Sequence, residues 1–254
     1  MSASIQIGSA APFRYVLRLA DTCLISAQRL SEWCGHAPIL EEDIGMSNIA
    51  LDLVGQARAL LSHAAALDGR GHDEDQLAFL REERDYLNPV LVELPRGDFA
   101  FTQLRQAGLA LWLLLFWPKL EKSGDAELAA IAGKAVKEAR YHFEHAGDWV
   151  VRLGDGSEES AARMKVALTT LWPYFNELFD TDEIDAMQTL GPAWSELRDA
   201  WHERFATLLQ SADLPVPGPS KYQSRGRNGV HSEHMGPLLA QMQVLQRAYP
   251  GGKW

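Results

Sequence analysis

The sequence predicts an all-α protein built mainly from long helices. Apolar residues recur at three- and four-residue spacing over several long stretches, which is the period of an amphipathic helix. No run of alternating apolar residues is long enough for a strand, and no repeat of solenoid period is present. The chain has 254 residues, 46% of them hydrophobic, which is enough for one sizeable core. We therefore predict a single helical domain over residues 1–254.

The predicted helices begin and end at residues that commonly start or stop helices. Pro38 separates the first helix from the second, and an acidic trio beginning at Glu41 suits the positive N-terminal end of that second helix. Pro89 interrupts a shorter helix, and Gly124 ends a long apolar one. The predicted bounds are approximately 12–35, 41–69, 76–88, 99–124, 126–154, 158–179, 192–209 and 232–249.

The segment 212–230 differs from the rest in composition. It contains the run PVPGPSKYQSRGRNG, which is rich in Pro, Gly and cations. This composition predicts an extended segment that lies over the surface before the last helix begins.

Composition and charge exclude several classes of partner. The net charge of −10, without any basic run, argues against a nucleic-acid partner. The longest apolar stretch, 109–117, is far shorter than the roughly 20 residues that cross a bilayer, so no membrane contact is predicted. Residues 1–12 are small and polar and do not resemble a signal peptide, so we expect a cytoplasmic protein.

Cysteine and tryptophan content give two further expectations. Cys23 and Cys34 fall in one predicted helix, too far apart for a disulfide, and we expect both to be buried thiols in a reducing compartment. Eight tryptophans are present. Any single one is expected in the core, but so dense a set favours some at contacts between subunits.

The pattern of a di-iron helical bundle is recognisable, but its ligands are missing. Such a bundle takes one Glu from each of two helices and a Glu-x-x-His pair from each of the other two. In EARYHFEH, Glu138 is followed three residues later by Tyr141, and on the second helix Asp52 is followed by Gly55. The apolar helix between residues 98 and 121 contains no carboxylate. We predict no catalytic, cofactor-binding or metal-ligating residue, and the vestigial positions are Asp52, Gly55, Glu138, Tyr141 and His142.

Two interpretations of the remaining polar residues stay open. Glu138, His142 and His145 share a helical face and could bind one divalent ion. Alternatively they join a hydrogen-bonded network, because buried polar groups need partners. The other members of that network would be the inward-facing polar residues of the first two helices, Asp21, Gln28, Asn48, Asp52, Gln56 and His63.

A second histidine cluster precedes the last helix in the run VHSEHM. His231, Glu233 and His234 resemble a metal-binding group, but we expect these residues to cap the helix instead.

Several long strings carry a resemblance to a known family. LADTCLISAQRLSEWCGHAP, IALDLVGQAR, KAVKEARYH, LFDTDEID and GVHSEHMGPLLAQMQVLQRAYPGGKW are similar to the C subunits of bacterial 1,2-phenylacetyl-CoA epoxidases. The likeness covers nearly the whole chain. It implies a ferritin-like four-helix bundle with additional helices, followed by a C-terminal extended segment and helix.

The resemblance also implies a function. The C subunit is regarded as a structural, non-catalytic part of a multicomponent monooxygenase of phenylacetate degradation. It would pair with a homologous catalytic A subunit that holds the di-iron centre, as a heterotetramer of two catalytic and two structural chains. A reductase component would carry flavin, an iron–sulfur cluster and the NADPH site. The alternative is a ferritin-like enzyme with an unconventional metal site at Glu138, His142 and His145.

Overall fold

The computed structural model describes residues 4–252, and over these residues the protein is all-α, as predicted. In that part of the chain the only strand-like pairing is one isolated bridge between Arg225 and Val230. Short 3₁₀ turns link several helices. The α-helices are α1 (Ala11–Ser31), α2 (Leu40–Asp68), α3 (Glu74–Phe79), α4 (Val90–Glu93), α5 (Phe99–Leu120), α6 (Ala126–Gly154), α7 (Glu158–Leu171), α8 (Glu183–Met187), α9 (Arg198–Ser211) and α10 (Met235–Ala248).

The four longest helices form a ferritin-like bundle. The closest packing is of α1 on α2 and of α5 on α6, and α2 then faces α6. Short loops connect the helices within each pair, which is typical of antiparallel neighbours. The ends of the helices are also specified locally. Asp125 accepts hydrogen bonds from the backbone of Glu127 and Leu128 at the start of α6, and Gly69 ends α2 in the left-handed conformation.

The helix α5 lies at the centre of the core. By length and composition it is apolar enough to span a membrane, but most of its surface is buried inside the protein. Around it lies a cluster that we call the aromatic core. In this cluster the Trp201 ring stacks on Phe205 with centroids 4.4 Å apart, and its Nε1 donates to the carbonyl of Gly108 at 2.8 Å. The members of the aromatic core are Trp112, Phe116, Phe175, Trp194, Trp201 and Phe205.

Four tryptophans lie in the core, as expected for any single one of them. Trp112, Trp117, Trp194 and Trp201 are fully buried, and the structure gives them core packing rather than contacts between subunits. Trp149 and Trp172 are half-buried.

The prediction of a helix over 76–88 was wrong. Asp73 caps α3 through a hydrogen bond from the Gln76 backbone, but the helix ends at Phe79. Arg81 then turns inward. Its Nε donates to the carbonyl of Leu77, and its guanidinium pairs with the buried carboxylate of Asp21. The Arg81 side chain thus hydrogen-bonds to a carbonyl near the end of α3. It also provides the partner that the inward-facing Asp21 carboxylate needs.

Three other predicted bounds change for local reasons. The helix predicted over 158–179 becomes 3₁₀ from Trp172, because Pro173 has no N–H to continue the α-helical hydrogen bonds. The helix predicted from 192 begins only at Arg198 and continues to Ser211, after a 3₁₀ turn. The first helix ends at Ser31 rather than Gly35. As a result Cys34 lies outside the helix and is exposed, whereas Cys23 is buried as expected.

The segment 212–230 is not simply draped over the surface. Its second part inserts buried residues into the body of the protein, among them Ser224 and Arg227. The carboxylate of Glu177 accepts hydrogen bonds from the Ser224 hydroxyl at 2.5 Å and from the Arg227 backbone at 2.7 Å. Polar anchoring of this second part explains why its Gly- and cation-rich composition did not reveal its burial, whereas Ala212 and Leu214 are buried among apolar side chains.

Candidate functional site

Polar side chains of α2 and α6 meet along one line, which we call the α2/α6 seam. Three histidines along it face carboxylates at 3.0 Å: His145 faces Glu42, His142 faces Asp52, and His63 faces Asp125. Between them Gln56 donates to Glu138 at 2.8 Å. The order of these pairs shows that the two helices run antiparallel. The seam consists of Glu42, Asp52, Gln56 and His63 on the α2 side, with Asp125, Glu138, His142 and His145 on the α6 side.

The middle of the seam reaches α1 through an amide. The Cys23 thiol donates to the Gln56 amide oxygen at 3.6 Å, and the amide nitrogen of Gln56 donates to Glu138. Burial, together with the nearby charges of Glu138 and Asp21, raises the pKa of the Cys23 thiol. The thiol therefore stays protonated and is a poor metal ligand, because metals bind the thiolate.

His142 is the most buried histidine of the seam. Burial lowers the pKa of His142 from 6.5, and the hydrogen bond to Asp52 opposes that effect only in part. Its Nε2 faces Asp52, and its Nδ1 has no hydrogen-bond partner among the described residues. The Asp52 side chain is 40% exposed. The pair therefore joins a fully buried ring to a carboxylate that is partly open to solvent.

The structure separates the predicted vestigial positions into two groups. Asp52, Glu138 and His142 lie on the seam, whereas Gly55 and Tyr141 face outward and are exposed. It is Gln56 that faces Glu138. A helix turns about 100° per residue, so choosing the neighbouring position moved the predicted site to another face of α2.

The expectations for the polar network were right in part. Asp21, Gln56 and His63 point inward, Gln28 is half-buried, and Asn48 is exposed rather than inward-facing.

The donor set does not fit a di-iron centre. The buried polar side chains of α5 include Thr102, Gln103, Arg105 and Gln106, and none of them is a carboxylate. The three residues of the alternative metal site, Glu138, His142 and His145, each face a different residue of α2. Among residues 4–252, no group of three His, Cys, Asp or Glu side chains is placed to hold a metal ion.

The second histidine cluster has a different role from the predicted cap. No side chain caps α10. His231 is buried instead, with Nδ1 2.6 Å from Glu93 and Nε2 2.9 Å from the carbonyl of Tyr86. Burial alone would lower the pKa of His231, but the contact with Glu93 raises it above 6.5. His234 and Glu233 are solvent-facing and 3.8 Å apart.

A buried charge cluster near α8 was not foreseen from the sequence. Arg18 pairs with Asp182 at 2.6 Å. Arg227 pairs with Asp185 at 2.9 Å and lies 4.2 Å from the Trp194 ring centroid. Burial lowers the pKa of the Arg227 guanidinium to about 10, where it is still charged at neutral pH. The acidic string LFDTDEID was the available signal, but its partners lie far away in sequence.

Comparison with known proteins agrees with the resemblance. A family model described as "Phenylacetic acid catabolic protein" matches residues 2–254. The chain is 49% identical over 243 residues to the C subunit of the 1,2-phenylacetyl-CoA epoxidase of Escherichia coli (strain K12). The match covers 94% of this chain and 98% of that protein. The resemblance inferred from the sequence is confirmed.

Proposed function

Because the chain belongs to the phenylacetic acid catabolic protein family, we propose that it is the non-catalytic structural subunit of a 1,2-phenylacetyl-CoA epoxidase. In this role it stabilises a homologous catalytic subunit that carries the di-iron centre. The complex epoxidises the aromatic ring of phenylacetyl-CoA in phenylacetate degradation. Flavin, the iron–sulfur cluster and the NADPH site belong to the reductase component.

The observation that supports this proposal best is the composition of α5. A carboxylate from this helix would be needed to complete a di-iron ligand set, and α5 contributes amides, a hydroxyl and a guanidinium in its place. On the facing helices, Glu138, His142 and His145 already contact separate residues of α2. A role in assembly remains the better explanation for a chain of this family.

The assembly is proposed to contain two structural and two catalytic chains. Obligate contacts of this kind commonly bury more than about 2,000 Å². We also propose that the complex is cytoplasmic, and the single-domain organisation of residues 1–254 stays a prediction.

Iron loading tests the absence of catalysis. The purified chain is incubated anaerobically with Fe(II), desalted and analysed for bound metal, with the co-purified complex of this chain and the catalytic subunit as the positive control. We expect no stoichiometric iron in this chain alone and two iron atoms per catalytic chain in the control. Two retained irons per chain would refute the proposal, and a single retained ion that is lost on His142→Gln would instead support the alternative metal site.

Co-expression tests the role in assembly. The catalytic subunit is produced with and without this chain, and its solubility, mass by size-exclusion chromatography with light scattering, and epoxidase activity are compared. We expect the catalytic subunit to be insoluble, unstable or inactive alone. A catalytic subunit that is fully soluble and fully active by itself would contradict the structural role.

A further inference from the structure

The outer side of the α2/α6 seam carries exposed apolar side chains, which we call the seam face. Leu40, Ile44 and Leu51 of α2 have relative exposures of 72%, 54% and 67%. Their spacing of four and seven residues places them on one stripe of the helix. Tyr141 of α6 is 50% exposed, and its ring centroid lies 6.0 Å from that of His145 on the seam. The seam face is Leu40, Ile44, Leu51, Val54 and Tyr141.

A cleft of about 240 Å³ opens beside this face, between α2 and α6. Small side chains line it, among them Ala59, Ala130 and Ala135, together with the charged residues Glu127, Lys134 and Glu138. Two carboxylates and one ammonium group leave the cleft with a net negative charge. The Glu138 carboxylate accepts a hydrogen bond from Gln56 at one oxygen, and no second donor to it is found among the described residues. Glu138 can therefore accept further hydrogen bonds.

Gly55 lines the same cleft and has no evident role inside the chain. A glycine within a helix costs about 1 kcal/mol of stability relative to alanine. Its backbone is helical, and an added Cβ would meet nothing within 4 Å. The chain's own packing thus does not require a glycine here, whereas the close approach of another molecule would.

We propose that the seam face is the docking surface for the catalytic subunit, which presents an apolar helix and places a Lys or Arg side chain in the cleft beside Glu138. This inference rests on the proposed function. The long aliphatic stem of Lys or Arg fits a cleft lined by alanines, and the charged end complements a carboxylate.

Charge also argues against a second copy of this chain as the occupant. The chain carries a net charge of −10. A two-fold contact across the cleft would bring together Glu127 and Glu138 of both copies, with only Lys134 in each copy to compensate them. Like charges brought together in this way oppose association. A partner with a cation at this position removes the conflict.

Matched charge insertions test the location. Leu51 and Val166 are equally exposed, at 67% each, but Val166 lies on α7, away from the seam. Each variant is co-expressed with an affinity-tagged catalytic subunit and the complex is purified through the tag. Affinity is then measured from the dissociation of the complex on dilution, by mass photometry. Leu51→Glu is expected to weaken binding about a hundredfold or more, as for a central contact, and Val166→Glu is expected to leave it unchanged.

A substitution that fills the cleft should affect the isolated chain and the complex in opposite directions. A cleft that served only the packing of the chain itself would not give this result. Gly55→Leu is expected to raise the melting temperature of the isolated chain, because leucine is the better helix former, and to weaken the complex. Glu138→Gln keeps the shape and removes the charge. It is expected to weaken binding about tenfold and to reduce its salt dependence.

The outcomes separate this inference from the proposed function. If the wild-type chain does not bind the catalytic subunit, the proposed function fails. If it binds, but Leu51→Glu and Gly55→Leu bind equally well, the seam face is not the docking surface. If Leu51→Glu instead splits a homodimer and leaves binding to the catalytic subunit intact, the occupant is a second copy and the inference is overturned.

Discussion

The α2/α6 seam and the aromatic core both join long helices, yet they do so by opposite means. The aromatic core packs large rings that are almost fully buried, such as Trp112 and Trp194 with centroids 4.4 Å apart. The seam uses polar pairs beside small residues, and some of its members are partly exposed. Burial of aromatic side chains contributes several kcal/mol per residue, whereas exposed ion pairs contribute about 1 kcal/mol or less.

This difference indicates that the two regions contribute unequally to the stability of the isolated chain. The aromatic core holds α5, α9 and the turn 172–179 together, so it sets the stability of the isolated chain. The seam joins α2 and α6 through polar pairs, some with a partly exposed member such as Asp52, and it leaves a cleft. A region that adds little to the stability of the monomer is free to serve a contact with another chain.

The largest expected effect is the loss of stability on truncating one residue to alanine, compared between the two regions. Trp201→Ala should lower the free energy of unfolding by about 3–5 kcal/mol, because it leaves a cavity and removes a hydrogen-bond donor to Gly108. Gln56→Ala should lower it by only about 1–3 kcal/mol, the typical result of leaving buried polar partners unsatisfied. Urea denaturation of both variants measures the difference. Equal losses would show that the seam stabilises the chain as much as the aromatic core does.

Two glycines on the bundle helices should respond to alanine with opposite signs. At Gly108 an added Cβ would lie 2.2 Å from Cε1 of Phe175, so Gly108→Ala should destabilise the chain by about 1–3 kcal/mol through overpacking. At Gly55 an added Cβ meets nothing within 4 Å, so Gly55→Ala should stabilise it by about 0.5–1 kcal/mol. Thermal unfolding of both variants is the measurement. A loss at Gly55 would mean that the cleft has a role in the packing of the monomer.

The smallest expected effect is a difference in pH dependence between His142 on the seam and His231 outside it. The folded-state pKa of His142 is lowered, so the folded state favours the neutral ring. Its contribution is present above pH 6.5 and is lost as pH falls through 6.5 towards the folded-state value. Asp52, Glu138 and His145 are the titratable groups that face this ring.

His231 should behave in the opposite way. Its folded-state pKa is raised, so its contribution is fully present below pH 6.5 and is lost as pH rises through the folded-state value. The groups that act on this ring are Glu93, the Tyr86 carbonyl and Asp21. Urea denaturation across a pH series should show that His231→Gln costs more stability at low pH, whereas His142→Gln removes part of the loss at low pH. The same slope for both variants would contradict the assignment.

The sequence predicted the four bundle helices well, because each combines sustained apolar spacing with recognisable end signals. It did not predict α4 and α8, which span only a turn or so and are fixed by contacts from elsewhere in the chain. Nor could it pair Arg18 with Asp182, since 164 residues separate them.

The candidate site shows the same limit at the level of single residues. The prediction that ligands are missing rests directly on residue types, since Gly55 has no side chain to bind a metal and α5 has no carboxylate. The sequence placed Gln56 among the inward-facing polar residues of α2, but it did not show that Gln56 is the partner of Glu138. That pairing joins two helices that are far apart in sequence, so only tertiary packing fixes it.

The buried hydrogen bonds made by residues 224–232 can form only late in the synthesis of the protein. Glu93 and Glu177 obtain buried hydrogen-bond partners from Ser224, Arg227, His231 and Ser232. All four of these residues are translated after most of the bundle. Until they emerge from the ribosome, both carboxylates lack those partners, and the body of the protein cannot close around them. A chain that terminates before these residues therefore leaves the Glu93 and Glu177 carboxylates solvated at places that are packed in the complete molecule. Proteases that degrade incompletely folded proteins can cleave such a chain.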